Sequence, residues 1–375
     1  MAGDIPLIRR LVRLGYDINA VKKDGNTAVR FMVCSLHYHG LWHEPAYRGI
    51  MTQPLPILRA LCEEGADVNW APKRNSIKGI LAKLMPMSAY LDFDTFMSIL
   101  KLLLKYGASL SLALHAQAAS LSETNIPFIQ VLLDAGADLE ELNRASGMTP
   151  LTTATKKGKH KVVQALLDAG ANVNGGDEIP LFAAIWPISF GAYHHNTTTM
   201  LEMLCEAGAD LTRLNSTNHS ILGFALTHCP TRQYDTIPPI VEMLCKYGAD
   251  VNFRHYLHHD TGTSFRVADG DTPLHIAPRA IVAEERGFGV LSTCVTILIR
   301  HGADVNSQND AGQTPLHLAA LAGAVSCVQI LLQHGAKVDV EDVSGKTAFM
   351  RMEIYRDEMQ SDYRDIAALL LQWKV

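Results

Sequence analysis

Gly302-Ala303-Asp304-Val305-Asn306, with Thr314-Pro315-Leu316-His317 beginning eight residues further on, is the stretch that decides how this chain folds. Thr314 reads as a helix N-cap, its hydroxyl placed to accept a backbone N–H two or three residues ahead. Pro315 then falls on the first helical position, where its missing N–H costs nothing and its fixed φ suits the helix. Leu316, Leu318, Ala319 and Ala320 give a short first helix with small residues where a neighbour must come close. Gly323 ends it. Val325–Gln333 reads as a second, antiparallel helix, closed by Gly335 in the left-handed region.

Outward from this unit the phrase returns. It is complete at Gly65–Asn69 and Gly248–Asn252, and looser at Gly15–Asn19, Gly107–Ser111, Gly136–Glu140, Gly170–Asn174, Gly208–Thr212 and Gly335–Asp339. The nine copies stand 50, 42, 29, 34, 38, 40, 54 and 33 residues apart. A recurrence at 20 to 50 residues marks stacked units rather than one closed core. Thr-Pro-Leu-His also stands at Thr272–His275 and, weakened, at Thr149–Thr152; eroded starts are Thr27, Ile179, His219 and Lys346.

These elements resemble the ankyrin repeat: a β-turn finger, two antiparallel helices and a Thr-Pro-Leu-His signature. The resemblance runs from about Ile5 to Val375. It implies an all-α solenoid of about nine to ten units, with residues 1–375 as a single array. Within it, 4–14 is a partial N-terminal unit lacking its first helix, 15–340 the repeats with inserted loops, and 341–375 a C-terminal capping unit. Arg9, Arg10 and Arg13 are candidates for the polar outer face that a terminal unit needs. A start at a second helix is what an array belonging to a larger protein would show.

Five units carry extra residues between their helices, near Leu36–Gln53, Met85–Asp94, Trp186–Asn196, Cys229–Pro238 and Pro278–Val290. Loops there lengthen at small entropic cost. The finger after Asn252 is about a dozen residues longer than its neighbours and holds Phe253, Arg254, His255, Tyr256, His258, His259 and Asp260. The unit after Gly107 is short, leaving a gap in the row of fingers.

Composition narrows the function. No run approaches the 18 apolar residues of a spanning helix, and no signal-peptide pattern opens the chain. Seven cysteines without a Cys-x-x-Cys suit a reducing compartment, cytoplasmic or nuclear. Cys62, Cys205 and Cys245 stand three residues before an anchoring Gly, and Cys294 and Cys327 eight before it, as core filler. A net charge of −5 gives no nucleic-acid footprint. The basic run Lys156, Lys157, Lys159, His160 and Lys161 reads as a solvated helix–helix turn.

Catalytic patterns are missing: no Gly-x-Ser-x-Gly, no phosphate-binding Gly-x-x-x-x-Gly-Lys-Ser/Thr and no dinucleotide Gly-x-Gly-x-x-Gly. We therefore expect no enzyme, no catalytic residue and no cofactor. Histidines cluster at His37, His39 and His43, at His194 and His195, and at His255, His258, His259 and Asp260. None of these sets has thiolate ligands or a helical i, i+4 frame, so no metal site is expected, and a metal-dependent activity at the long finger is the remote alternative. His275 and His317 belong to the signature, where the imidazole is expected to tie adjacent turns.

The resemblance implies a non-enzymatic scaffold that holds a protein partner, of unknown identity, on finger tips and a concave first-helix surface. A monomer without membrane insertion is expected. The positions carried across are Gln308, Asp310, Ala311, Gln313, Leu321 and Ala322; Val21, Lys23, Asp24, Asn26, Cys34 and Ser35; and Leu142, Arg144, Met148, Lys156 and Lys157. Trp70 and Phe253 follow directly on Asp-Val-Asn, with Tyr256 beyond, and exposed aromatics there would anchor a partner. The competing reading buries them under their own fingers. The resemblance also implies asparaginyl hydroxylation at Asn69, Asn252 and Asn306, which have Leu61, Leu244 and Leu298 eight residues earlier. A second biology within the binding class is the substrate-receiving half of a ubiquitin-ligase adaptor or an effector.

Overall fold

The structure, a computed structural model, describes residues 5–21, 26–35, 54–69, 80–85, 91–110, 113–119, 126–143, 145–189, 197–227, 236–256, 268–279, 288–353 and 360–373. Two compact units divide the chain, Met1–Asp177 and Glu178–Val375. In the first, α1 (Ile5–Arg13) stands alone and four helix pairs follow: α2 (Ala28–Ser35) with α3 (Pro54–Glu63), α4 (Ile80–Leu84) with α5 (Phe93–Lys105), α6 (Ala113–Ala118) with α7 (Ile126–Asp134), and α8 (Pro150–Lys156) with α9 (His160–Asp168). Among the described residues of the second unit there are five pairs. They are α10 (Pro180–Ser189) with α11 (Thr197–Glu206), α12 (Ile221–Thr227) with α13 (Ile237–Lys246), α14 (Pro273–Ile276) with α15 (Phe288–Arg300), α16 (Pro315–Leu321) with α17 (Val325–Gln333), and α18 (Ala348–Glu353) with α19 (Gln360–Gln372). The fold is the all-α repeat array that the spacing predicts.

Each second helix before α19 ends in the same way. The nine anchoring glycines, Gly15 to Gly335, have φ between 75° and 90°, and a Cβ built on any of them would meet no atom within 4 Å. Glycine is there for its left-handed backbone, not for space. At Gly302 the N–H bonds Ile299 O at 3.0 Å while the Ala303 N–H reaches back to Leu298 O, also at 3.0 Å. This double closure is a Schellman cap, with its apolar contact between the residues at its two ends. The pairing of leucine with alanine recurs at Leu61–Ala66, Leu103–Ala108, Leu132–Ala137, Leu166–Ala171, Leu204–Ala209, Leu244–Ala249 and Leu331–Ala336. The leucine eight residues before Asn69, Asn252 and Asn306 is thus a buried cap residue in its own right.

Several helices run further than the sequence suggests. Trp186–Ser189 continue α10, and Asp94 lies inside α5 because the Asp92 carboxylate caps it, accepting from Thr95 N at 2.8 Å. Pro238 sits in the first turn of α13, where proline is tolerated, and Val290 lies inside α15. The short unit is as expected: α6 begins at Ala113, six positions after Gly107, whereas α16 begins thirteen after Gly302.

One residue of the first unit works against this packing. Gln117 in α6 is 1% exposed, and neither its amide nitrogen nor its oxygen has a hydrogen-bond partner. An amide buried without compensation costs about 1–3 kcal/mol. Gln117→Leu should therefore raise the unfolding free energy by a comparable amount, read as a higher denaturation midpoint; a lower midpoint would show that the amide supports its surroundings.

Candidate functional site

The fingers are shaped from within by a side chain that folds back on its own loop. Asn309 Oδ1 accepts from Ala311 N at 3.1 Å and Gln313 N at 2.9 Å. Asp342 does the same with Ser344 N at 2.7 Å and Lys346 N at 3.2 Å, and Asn215 with Thr217 N at 3.0 Å and His219 N at 2.9 Å. Short Asn and Asp side chains suit this because their carbonyl mimics the backbone of a turn.

Neighbouring fingers are then tied to one another. The Asn306 amide donates to Gly335 O at 3.0 Å and accepts from Lys337 N at 2.8 Å. Asn252 bridges to Gly302 O and Asp304 N, Asn69 to Gly107 O and Ser109 N, and Asn19 to Gly65 O and Asp67 N. Asn69, Asn252 and Asn306 therefore each serve as a clasp between units. Closer to the tips, Asp310 N donates to Asp269 O at 3.0 Å and Val343 N to Ala311 O at 3.1 Å.

The signature imidazoles add a third tie. His275 Nδ1 accepts from Thr272 N at 3.1 Å, which leaves its Nε2–H to donate to Gln313 O at 2.9 Å in the next finger. His317 repeats this between Thr314 N and Lys346 O. In the first unit His115 spans Thr153 Oγ1 and Glu141 O. Burial pushes all three below the ordinary histidine range, so they are neutral.

The long finger is pinched shut at its base. His255 N donates to Asp271 O at 2.9 Å and Gly270 N to His255 O at 2.8 Å, an antiparallel bridge that brings together residues sixteen apart. The buried His255 ring reaches Ser220 Oγ at 2.9 Å through Nε2 and Asp271 O at 2.9 Å through Nδ1. A serine hydroxyl bonded to an imidazole is also how a nucleophile meets its base. Here the third group is a backbone carbonyl and both side chains are buried, while Ser220 Oγ is held as an N-cap by Gly223 N at 3.2 Å. The arrangement is a latch. The Asp271 carboxylate faces away from the imidazole, taking Asn309 Nδ2 at 2.8 Å, Ala268 N at 2.8 Å and the Arg279 guanidinium at 3.2 Å. This pair and its counterpart Asp342–Arg351, each with a fully buried carboxylate, show in the sequence only as an arginine eight or nine residues after an aspartate in each finger.

The expected partner-binding residues separate on this frame. Arg254 organises three of them: its guanidinium donates to Gln308 O at 2.7 Å, Asp310 Oδ1 at 2.7 Å and Tyr256 Oη at 3.3 Å. Tyr256, Gln308 and Asp310 are exposed around it, and Val343 one finger on is 74% exposed. Gln313 and Leu321 are half-buried, the first through its backbone bond to His275. Phe253 is half-buried as well, its ring edge-on to His255 at 4.9 Å and lining a small hollow with Leu211 and Ile221. It packs beneath its finger. In the first unit Lys157 is exposed, and Met148, Lys156 and Asn26 are half-buried. Lys23, Asp24, Trp70 and Arg144 lie outside the described residues, as do His37, His39, His43, His194, His195, His258, His259 and Asp260.

Among the described residues no three His, Cys, Asp or Glu side chains group as metal ligands, and no helix is long and apolar enough to cross a membrane. Burial pushes the Cys62 and Cys205 thiols up to about 11 and those of Cys245 and Cys327 up to about 12, the behaviour of core filler.

Helix pairs closed by left-handed glycines and clasped finger to finger define a repeat protein of the helical-stack class. A family model described as "Ankyrin repeats (3 copies)" matches residues 87–177, 253–342 and 280–373, and the chain belongs to the ankyrin repeat family. It is similar to the Putative ankyrin repeat protein YahD of Escherichia coli, 27% identical over 195 residues, covering 52% of this chain and 83% of that protein. It is also 38% identical over 96 residues to Ankyrin repeat protein nuc-2 of Neurospora crassa, covering 24% of this chain but only 9% of that much longer protein. Among solved structures, the ankyrin repeat domain of Bcl-3, a member of the IkappaB protein family, matches with a TM-score of 0.50 at 22% identity, covering 69% of this chain and 97% of that domain. Ankyrin repeats generally mediate protein–protein interaction, and the family is typically non-enzymatic.

Proposed function

We propose that this chain is a non-enzymatic binding module that holds a protein partner along its finger tips and the adjoining edges of its first helices. The observation that carries the reading is the Arg254 cluster. Arg254, Tyr256 and Asp310 are joined side chain to side chain and the Gln308 amide is held by Gly312 O, yet Tyr256, Gln308 and Asp310 stay exposed. Groups already held in place lose little freedom on binding, which favours affinity. Tyr256 is the proposed aromatic anchor in place of Phe253, with Val343 beside it along the row. Lys156 and Lys157 with Met148 form the corresponding stretch of the first unit.

A pull-down comparing the intact chain with a Tyr256→Ala/Val343→Asp double variant tests this. Both side chains are exposed, so the fold should be kept while partner recovery falls at least about ten-fold, the loss of one modest hot spot. Undiminished recovery by the folded variant would remove the finger-tip surface as the binding face.

A further inference from the structure

The two units carry charge of opposite sign. Residues 1–177 hold 19 Lys and Arg against 16 Asp and Glu, whereas residues 178–375 hold 14 against 22. The second unit brings part of its acidic excess to the fingers. Asp269, Asp310 and Glu341 stand exposed on three successive fingers. These fingers are tied by Asp310 N to Asp269 O at 3.0 Å and by Gln308 Nε2 to Glu341 O at 3.4 Å. The ties use the backbone oxygens of Asp269 and Glu341, and among the described residues neither carboxylate meets a cation. Arg254 beside them is spent on Asp310 at 2.7 Å. Lys337, at the base of the last finger, is exposed and Lys346 half-buried.

One residue before Arg254, Phe253 borders an apolar hollow of about 70 Å³ between the Gly208 and Gly248 fingers. Leu211, Ile221 and Leu222 line it with Phe253, and Asp250 is its one charged residue. Thr212, standing where other joints have a clasping asparagine, also faces it. The hollow has room for one aliphatic side chain.

We propose that the finger face of the second unit takes a basic segment of a partner protein. One aliphatic side chain of that segment would enter the hollow, and its Lys or Arg residues would face Asp269 and Glu341. The proposal rests on the finger-tip reading and gives that partner its chemistry. Opposite charges across an interface speed encounter and exclude wrong partners more than they add affinity. The aliphatic side chain supplies the contact closed to water. An acidic segment would set like charges against both carboxylates.

The test uses the full chain and fluorescein-labelled peptides of about 12 residues, which reach roughly 40 Å when extended. The first carries lysines and a single leucine among serines and glycines. A second has glutamates for the lysines, and a third has serine for the leucine. Fluorescence anisotropy is read in about 0.1 M salt, where distant charges are screened. The lysine peptide should bind at least about ten-fold tighter than the glutamate peptide, and about five-fold tighter than the peptide without leucine. Asp269→Lys/Glu341→Lys should erase the preference for lysine. Glu206→Lys/Asp365→Lys changes the charge equally at exposed sites on α11 and α19, and should leave that preference in place. Equal affinity for the lysine and glutamate peptides overturns the proposal, as does a leucine replaced without loss. A preference that survives Asp269→Lys/Glu341→Lys, or falls equally in both double variants, overturns it too. In the pull-down, a partner lost by Tyr256→Ala/Val343→Asp but kept by Asp269→Lys/Glu341→Lys would overturn the charge assignment and leave the finger-tip face standing. A partner kept by both would remove the face itself.

Discussion

Asp271→Ala should lower stability by about 1–3 kcal/mol, the cost of leaving buried hydrogen-bond donors unsatisfied. The carboxylate is fully buried and takes three donors: the Arg279 guanidinium, the Asn309 amide and the Ala268 backbone N–H. It joins the long finger to the helix that follows and, through Asn309, to the next finger. Removing it strands the buried Asn309 amide and takes a carboxylate from the partly exposed Arg279 guanidinium. Asp271→Asn keeps the shape and an acceptor oxygen but drops the charge facing Arg279, so it should fall between the wild type and alanine. Urea titration followed by circular dichroism gives the midpoints; an alanine variant that melts with the wild type would mean these bonds only break even against solvent.

Acid should destabilise the fold well before the carboxylates titrate. His115, His255, His275 and His317 are all pushed below the ordinary value of 6.5, with burial the leading cause in each. An imidazole that is harder to protonate when folded lets the unfolded chain bind more protons. Stability is therefore full above about pH 6.5 and declines as pH falls below it, by about 1.4 kcal/mol per histidine for each pH unit crossed before the folded-state value is reached. Geometry reinforces burial at His275 and His317, where Nδ1 accepts a backbone N–H and a proton there would set two donors face to face. Asp342 works in another window. Burial pushes its carboxyl up, but Arg351 and two backbone N–H groups more than offset that and hold it below the usual carboxylate range. Its share is lost only near pH 4 and below. Denaturation midpoints between pH 7 and pH 5 should fall steeply, and less steeply in a His275→Gln/His317→Gln chain even though that chain is weaker at pH 7. Equal slopes would show that these imidazoles are not the groups that titrate.

The array was legible because its instructions are local and repeated. A glycine at each left-handed cap, a threonine before a proline and small residues on the first helices all act within a few positions. The histidine ties were legible for the same reason, as the signature fixes which ring nitrogen faces inward. What escaped depends on the next unit. Phe253 looks free in sequence, yet it is half-buried, its ring edge-on to His255 and facing Leu211 and Ile221 of the preceding unit across a small hollow. Asp310 looks like a lone surface acid, but an arginine 56 residues earlier holds it. Gln117 reads as an ordinary helix residue, and only packing against its neighbours strands its amide.

The joint between the Gly208 and Gly248 fingers differs from those held by asparagine. Thr212 stands where the clasping amide would be and turns its hydroxyl to Asp210 at 2.6 Å in its own turn. Across that joint runs the His255–Ser220 contact instead. An amide keeps its bonding at any physiological acidity, whereas an imidazole does not, and this seam has its imidazole tie where the Asn252 and Asn306 joints add an amide clasp to theirs. Under load or in acid the second unit should part there first, like cloth along the one row sewn with a different thread.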